Sequence, residues 1–208
     1  LLDLANIPQA DLKNEIIEAA RSASAPVISL LEKVPGLYFS GIDNYTAIQT
    51  VMEHLICKHH CRTLNYVSGP AGSVENQQRF GAYRDALQKY GIPFDSMRVT
   101  GSTYEIENGI HAFSEFQNRE LLPDAFVCAN DNIAVGICLA AKKAGYSIPD
   151  DFLVTGFDNE NKASFFDPRV TTVGFSKAEI MTNALILLSD VWDGSNESMH
   201  IYTPVTHV

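Results

Sequence analysis

Apolar positions recur at spacings of three and four through residues 12–22, 45–58, 75–90, 105–118, 133–144 and 177–192. That is the period of helices with one buried face. In the second segment Ile48, Val51, Met52, Leu55 and Cys57 are the residues expected to form that face. Between the helical segments lie short runs rich in β-branched and aromatic residues, at 26–31, 37–42, 63–68, 97–100, 125–128, 152–157 and 170–175, with a last one at 200–206. These runs are mostly continuous rather than alternating, which predicts strands covered on both faces. Strand and helix in alternation predict parallel pairing with right-handed crossovers, an α/β fold. The helix ends agree: KYGIP at 89–93 and KAGYSIP at 143–149 each place Gly after a helical pattern and Pro soon after. DGSNES at 193–198 predicts a surface loop.

The 208 residues suffice for one large domain or two smaller lobes with real cores. Apolar residues make up 46% and charged residues 19%, the balance of a soluble globular chain. A formal charge of −10 repels phosphate backbones and anionic lipid, so nucleic acid or a membrane is not expected as this chain's own partner. No apolar run reaches the roughly 18 residues of a membrane span, and no signal peptide is visible. The opening Leu1-Leu2-Asp3 and the mid-pattern ending Thr206-His207-Val208 lead us to expect a piece of something longer. Of the four cysteines, Cys128 and Cys138 fall on apolar elements and are expected as buried thiols. Cys57, His59, His60 and Cys61 form CKHHC, which invites a metal. A zinc site would need a second ligand pair at defined spacing, and His and Lys also suit a helix C-terminus. No metal and no cofactor are expected, and a reduced, cytoplasmic setting is the default.

Candidate chemistry lies where strands stop. The runs at 125–129 and 152–157 both break off at polar clusters, Asn130-Asp131-Asn132 and Asp158-Asn159-Glu160. In an open parallel sheet, ligands bind outside the carboxyl ends of the strands. Arg79, on the first turns of the helix after VSGPAGS, reaches toward the same rim. Its planar fork of donors, with the Asn amide and the Asp carboxylate, suits a polyol or sugar-like ligand. Each residue also has an ordinary reading that the pattern leaves open. Asn130 or Asp131 would cap the helix near Ile133, Asp158 would open an Asx turn, and Arg79 would be a solvated partner of Glu75. GPAGS lacks the Lys-Ser/Thr of a phosphate loop, and neither G-x-S-x-G nor G-x-G-x-x-G occurs. None of the six histidines stands visibly beside a strand-end carboxylate, so an enzyme is not expected.

The same residues carry a resemblance. GIDNYTAIQTVMEHL, NYVSGP…QQRFGAYRDAL, PDAFVCANDNIAVGICLAAKKAGYSIPDDFLVTGFDN and DPRVTTV stand in order between Gly41 and Ser176. Together they resemble the ligand-binding sensor domain of the LacI/GalR family, relatives of periplasmic binding proteins. The resemblance implies two α/β lobes of parallel sheet flanked by helices, with ligand in a cleft. It implies a first lobe at 1–44 with 171–193 and a second at 45–170 with 194–208, the first incomplete at its N-terminal end. Arg79 of QQRFGAY, Asn130 of AND and Asp158 of GFDN take the positions that hydrogen-bond the effector. Phe175, two past TTV, replaces a frequent Gln and would stack on a ring, and Tyr45 would line the cleft. The implied function is that of a non-catalytic sensor of a small polar, sugar-like effector in a homodimeric transcriptional regulator. DNA would be met only through a headpiece absent from this chain. Attachment to a signalling enzyme such as a diguanylate cyclase, or an α/β enzyme with an unrecognised site, is the alternative.

Overall fold

The computed structural model describes residues 1–4, 7, 10–159, 170–195 and 199–207. Glu160, residues 167–169 of the DPRVTTV motif and residues 196–198 of the surface loop lie outside the described residues. The chain divides into two compact units: Leu1–Asp43 with Phe175–Val205, and Asn44–Gly174 with Thr206–Val208.

The first unit is built on a parallel sheet in the order β1 (Leu2–Asp3), β2 (Ile28–Leu30), β3 (Tyr38–Gly41), β9 (His200–Tyr202). Its helices are α1 (Ala10–Arg21) and α6 (Lys177–Trp192). Ser176 caps α6 by accepting from the Glu179 amide at 3.1 Å. Ile180, Ala184 and Leu187, spaced by four and three, form its buried stripe, and Ala184 and Leu187 pack with Ile28 of β2. The buried Ser40 hydroxyl donates to the carbonyl of Ile180 at 2.8 Å, tying β3 to α6. The resemblance implied that residues 194–208 belong to the second lobe; residues 199–205 instead belong to the first unit. There β9 pairs in register with β3 (Phe39↔His200, Ser40↔Ile201, Gly41↔Tyr202). A strand of three residues cannot stand alone, and the edge of β3 satisfies its backbone while the Tyr202 ring meets Phe39 edge-on at 5.5 Å.

The second unit carries a parallel sheet in the order β5 (Val99–Thr100), β4 (Leu64–Val67), β6 (Ala125–Cys128), β7 (Leu153–Thr155). Every residue of β4 and β6 is buried, which is why their sequences do not alternate. The helices are α2 (Asn44–Glu53), α3 (Val74–Lys89), α4 (Ile106–Asn118) and α5 (Asp131–Lys143). Tyr66 packs its ring against Phe80 and Tyr83 at 5.2 and 5.1 Å, and Phe126 meets Phe113, Phe116 and Phe152. Burial pushes the Tyr66 and Tyr83 hydroxyls well above the ordinary phenol range. Helices α4 and α5 touch backbone to backbone: a Cβ on Gly109 would stand 2.9 Å from Gly136 Cα, and one on Gly136 2.9 Å from Gly109 Cα. Helix α2 does not end as an α-helix. It widens into a π-turn over His54–Lys58, closed by the His59 amide on the His54 carbonyl at 3.3 Å. Ile56 is buried, one turn on from Met52, and Cys57, expected inside, is exposed one turn on from the exposed Glu53. Cys128 and Cys138 are buried as expected, and burial pushes the Cys138 thiol up to about 12.

The strand order places β4, first in the chain, inside the sheet, with β5 on one side and β6 and β7 on the other. The crossover from β4 runs outward to β5 and the next returns across β4 to β6, so the direction reverses there and the crevice of such sheets falls between the carboxyl ends of β4 and β6.

Candidate functional site

Four segments meet at that crevice: the loop after β4, the start of α2, and the ends of β6 and β7. The loop is held by Asn76, on the first turn of α3 and buried. Asn76 Oδ1 accepts from the Gly69 amide at 2.9 Å, while its Nδ2 reaches Ser68 Oγ at 3.0 Å and the Gly69 and Pro70 carbonyls at 3.3 Å. Ser73 caps α3 on the Asn76 amide at 3.2 Å and gives its hydroxyl to Glu75 at 2.7 Å.

Arg79 lies one turn further along α3, and 6% of it is exposed. Its Nε donates to Asn44 Oδ1 at 2.8 Å and its Nη1 to the Ala129 carbonyl at 2.6 Å. Nη2 faces Asp158 Oδ1 at 3.5 Å, and the guanidinium lies 3.6 Å from the centre of the Phe157 ring. Arg79 is therefore not the solvated partner of Glu75. One buried cation joins the start of α2 to the ends of β6 and β7. Asp158 keeps 24% of its side chain open to solvent. Its φ is +103°, a value that residues other than glycine rarely adopt. It is pinned there by its own amide, which donates to the Val173 carbonyl at 2.9 Å.

Asn130 stands beside this pair, directly after the carbonyl that Arg79 holds. It is the N-cap of α5: Oδ1 accepts from the Ile133 amide at 3.0 Å, and Nδ2 donates to the Tyr104 carbonyl at 3.1 Å. The capping role open between Asn130 and Asp131 falls to Asn130. Asp131 begins the helix itself, buried, with its carboxylate accepting from Thr172 Oγ1 at 2.6 Å and its charge on the favourable end of the helix dipole. Tyr45 does not join the group. It is exposed on α2, and its hydroxyl donates to Asp85 at 2.7 Å; that bond, with burial and the Asp85 charge adding, raises its pKa. Phe175 is a half-buried residue of the other unit, at the end of β8 (Val173–Phe175).

Sequence reasoning missed three members of the site. Asn44 was passed over for its neighbour Tyr45; the signal was an Asn opening an amphipathic helix, a position that favours a side chain turned inward or capping. Phe157, the apolar residue before Asp158, supplies the ring under the guanidinium. Tyr104 was missed because it follows a strand of only two residues. Its ring covers Gly69, where any Cβ would collide with it, and its hydroxyl meets Ser73 Oγ at 2.8 Å. Burial raises its pKa, partly offset by the Ser73 bond and by the Arg79 charge, with Asp158 acting the other way. The rim thus offers a buried guanidinium, a solvent-reachable carboxylate and an aromatic ring within one crevice. Among the described residues no group of three or more His, Cys, Asp or Glu is arranged to hold a metal ion, and no helix is long and apolar enough to cross a membrane.

Known proteins are similar to this chain in sequence and fold. Residues 52–208 match the family described as periplasmic binding protein-like domain. The transcriptional repressor PurR of Mannheimia succiniciproducens is 33% identical over 136 residues, covering 65% of this chain and 40% of PurR. The repressor CytR of Escherichia coli K12 is 30% identical over 155 residues, covering 74% of this chain and 45% of CytR. The chain thus spans less than half the length of these curated relatives. Among solved structures, a LacI-family regulatory protein from Chloroflexus aggregans superposes with a TM-score of 0.85 at 21% identity, over 97% of this chain and 72% of that one. The Lac repressor bound to ONPG in its repressed state superposes at 0.84 with 20% identity, over all of this chain and 60% of that one. The chain belongs to the periplasmic binding protein-like domain family, as a ligand-binding domain of the LacI/GalR type.

Proposed function

We propose that this chain is the effector-sensing part of a transcriptional repressor, and that a small polar molecule binds, unchanged chemically, at the Arg79–Asp158 rim. The observation that carries this reading is the way Arg79 is held. A buried guanidinium fixed through Nε and Nη1 cannot swing, so it is pre-organised, and the Asp158 carboxylate 3.5 Å from it keeps 24% of its side chain open to solvent, where a ligand hydroxyl reaches it. A polyol fits both groups: its oxygens accept from the Arg79 Nη hydrogens, one of its hydroxyls donates to Asp158, and the Tyr104 ring covers an apolar face. The positive φ at Asp158 supports the same reading, since strained backbone gathers at ligand sites. Phe175 enters only through the resemblance. The similarity to PurR and CytR supports output through DNA, made by a headpiece in a dimeric regulator. The effector acts by its difference in affinity for the two output states.

The test is thermal unfolding of the full protein against a panel of sugars, sugar acids and nucleosides. A cognate ligand at one hundred times its Kd adds about 2.7 kcal/mol of stability, or roughly 5–10 °C in Tm for a chain of this size. Arg79→Lys keeps the charge but loses the fork, and we expect it to remove the shift; Asp158→Ala does the same. A shift that survives both substitutions sinks the assignment.

A further inference from the structure

The CKHHC stretch is not absorbed by the sensor reading, and the structure gives it a geometry that the sequence does not. In an α-helix, residues five apart point about 140° away from each other around the axis. The π-turn over His54–Lys58 changes that, because closing the ring from residue 59 to residue 54 stacks the two ends of the turn one above the other. The result is that the rings of His54 and His59 lie 4.7 Å apart centre to centre, tilted by 58°, with Nε2 facing Nε2 at 3.0 Å. The two Nε2 atoms thus face each other as a hydrogen-bonded pair at an exposed surface.

We propose that His54 and His59 form a two-imidazole site for a divalent first-row transition cation, with water completing the coordination shell. Two nitrogens bound at about 2.0–2.1 Å to one ion stand about 2.8 Å apart for a right angle and about 3.4 Å for a tetrahedral one. The 3.0 Å separation falls inside that interval, so an ion beside the line joining the two nitrogens displaces the shared proton once both rings turn their Nε2 lone pairs toward it, with the nitrogens keeping nearly their present separation. The ligand type is right for Cu²⁺, Ni²⁺ or Zn²⁺, which imidazole suits, and wrong for Mg²⁺ or Ca²⁺, which take oxygen. The other members of the stretch stand apart from the pair. Cys61 is buried, with burial raising its thiol's pKa, and His60 turns the chain with φ +58°. The exposed Cys57 shares an electrostatic neighbourhood with Lys89 and Glu53. The site lies at the end of α2 opposite Asn44, about 20 Å along the helix from the effector rim, so it is a separate site and does not depend on the sensor reading.

Equilibrium dialysis of the full protein against Ni²⁺ and Zn²⁺ tests this, with Mg²⁺ as the control ion. The expected result is one ion bound per chain, a loss of at least tenfold in affinity in His54→Ala and in His59→Ala, and no change in His60→Ala or Cys57→Ser. Circular dichroism of each variant checks that these exposed substitutions leave the fold intact. Nickel-induced broadening of imidazole proton signals supplies a second readout, and only the resonances of His54 and His59 should vanish at sub-stoichiometric ion. Binding that persists in both alanine variants, or that is lost equally in His60→Ala or Cys57→Ser, overturns the proposal, as does the absence of binding in the wild-type chain.

Discussion

Asp124 and Asp158 stand at opposite ends of the same sheet, and each faces hydrogen-bond donors from elsewhere in the unit. Asp124 precedes β6 and accepts from the backbone amides of Arg62 and Thr63 at 2.7 and 2.8 Å, joining the start of β4 to the start of β6. Its own amide is taken up by the Thr63 hydroxyl and carbonyl, both at 2.9 Å. Asp158 follows β7, faces a side-chain cation at 3.5 Å, and has φ at +103°. One carboxylate is close to its donors and relaxed, the other slack and strained. The tight one staples secondary structure, and the slack one, 24% open to solvent, is the one we propose for a ligand. Residue type alone does not separate the two; partner type, distance and backbone conformation do.

The largest expected effect on stability is at the cation that organises the rim. Arg79→Ala leaves Asn44 Oδ1, the Ala129 carbonyl and Asp158 without their donor and strips the face of Phe157. A buried acceptor left unmade costs about 1–3 kcal/mol, and the partial exposure of Asp158 limits its share. We expect a loss of about 2–3 kcal/mol, read as a lower midpoint in urea at unchanged slope. A loss below about 0.5 kcal/mol would mean that Arg79 rests at the rim without holding it together.

Asp124 comes next. Truncating it to Ala frees two amides near solvent, a change comparable to losing a helix cap, about 1 kcal/mol. The effect should depend on pH. Burial pushes the Asp124 carboxyl up, but the Arg62 and Thr63 amides, the Thr63 side-chain hydrogen bond and the Arg98 charge together hold it below the ordinary carboxylate range. A group with a depressed folded pKa contributes its stability above its unfolded value, near 3.9, and loses it as pH falls through the folded value. The wild type and Asp124→Ala should therefore differ fully above about pH 5 and converge as pH falls from there through the lowered folded value. A difference that does not shrink at all as the pH is lowered would assign the effect to packing instead.

How much of this was legible in the sequence follows from how far apart the interacting residues are. The sheet, its parallel sense and the meeting of Arg79, Asn130 and Asp158 could be read, because period and strand-end chemistry are local and parallel strands all finish on one side. Asn44 could not be read as the partner of Arg79: the pairing spans 35 positions and the residue beside it, Tyr45, offered a more conspicuous ring. The capping choice between Asn130 and Asp131 turned on one residue of helix start, which pattern does not resolve. The π-turn was invisible because a helical period averaged over 45–58 hides one widened turn. The pairing of β9 with β3 links residues about 160 positions apart, with no sequence signature to announce it.

The smallest expected change in stability is the most discriminating. In Asp158→Gly the ion pair with Arg79 is lost, which for a partly exposed pair at 3.5 Å is worth about 0–1 kcal/mol. Glycine adds an unfolded-state entropy cost of about 0.5–1 kcal/mol. Against these, removing the Cβ releases the strain of a positive φ, about 1–3 kcal/mol. The strain released is at least comparable to the losses, so folding stability should not fall appreciably while stabilisation by the effector disappears. That split, unchanged stability with lost ligand response, is what a strained binding residue predicts and a structural one does not. If Asp158→Gly destabilises the fold as much as Asp124→Ala, the two carboxylates are both staples. The slack at 3.5 Å would then carry no functional meaning.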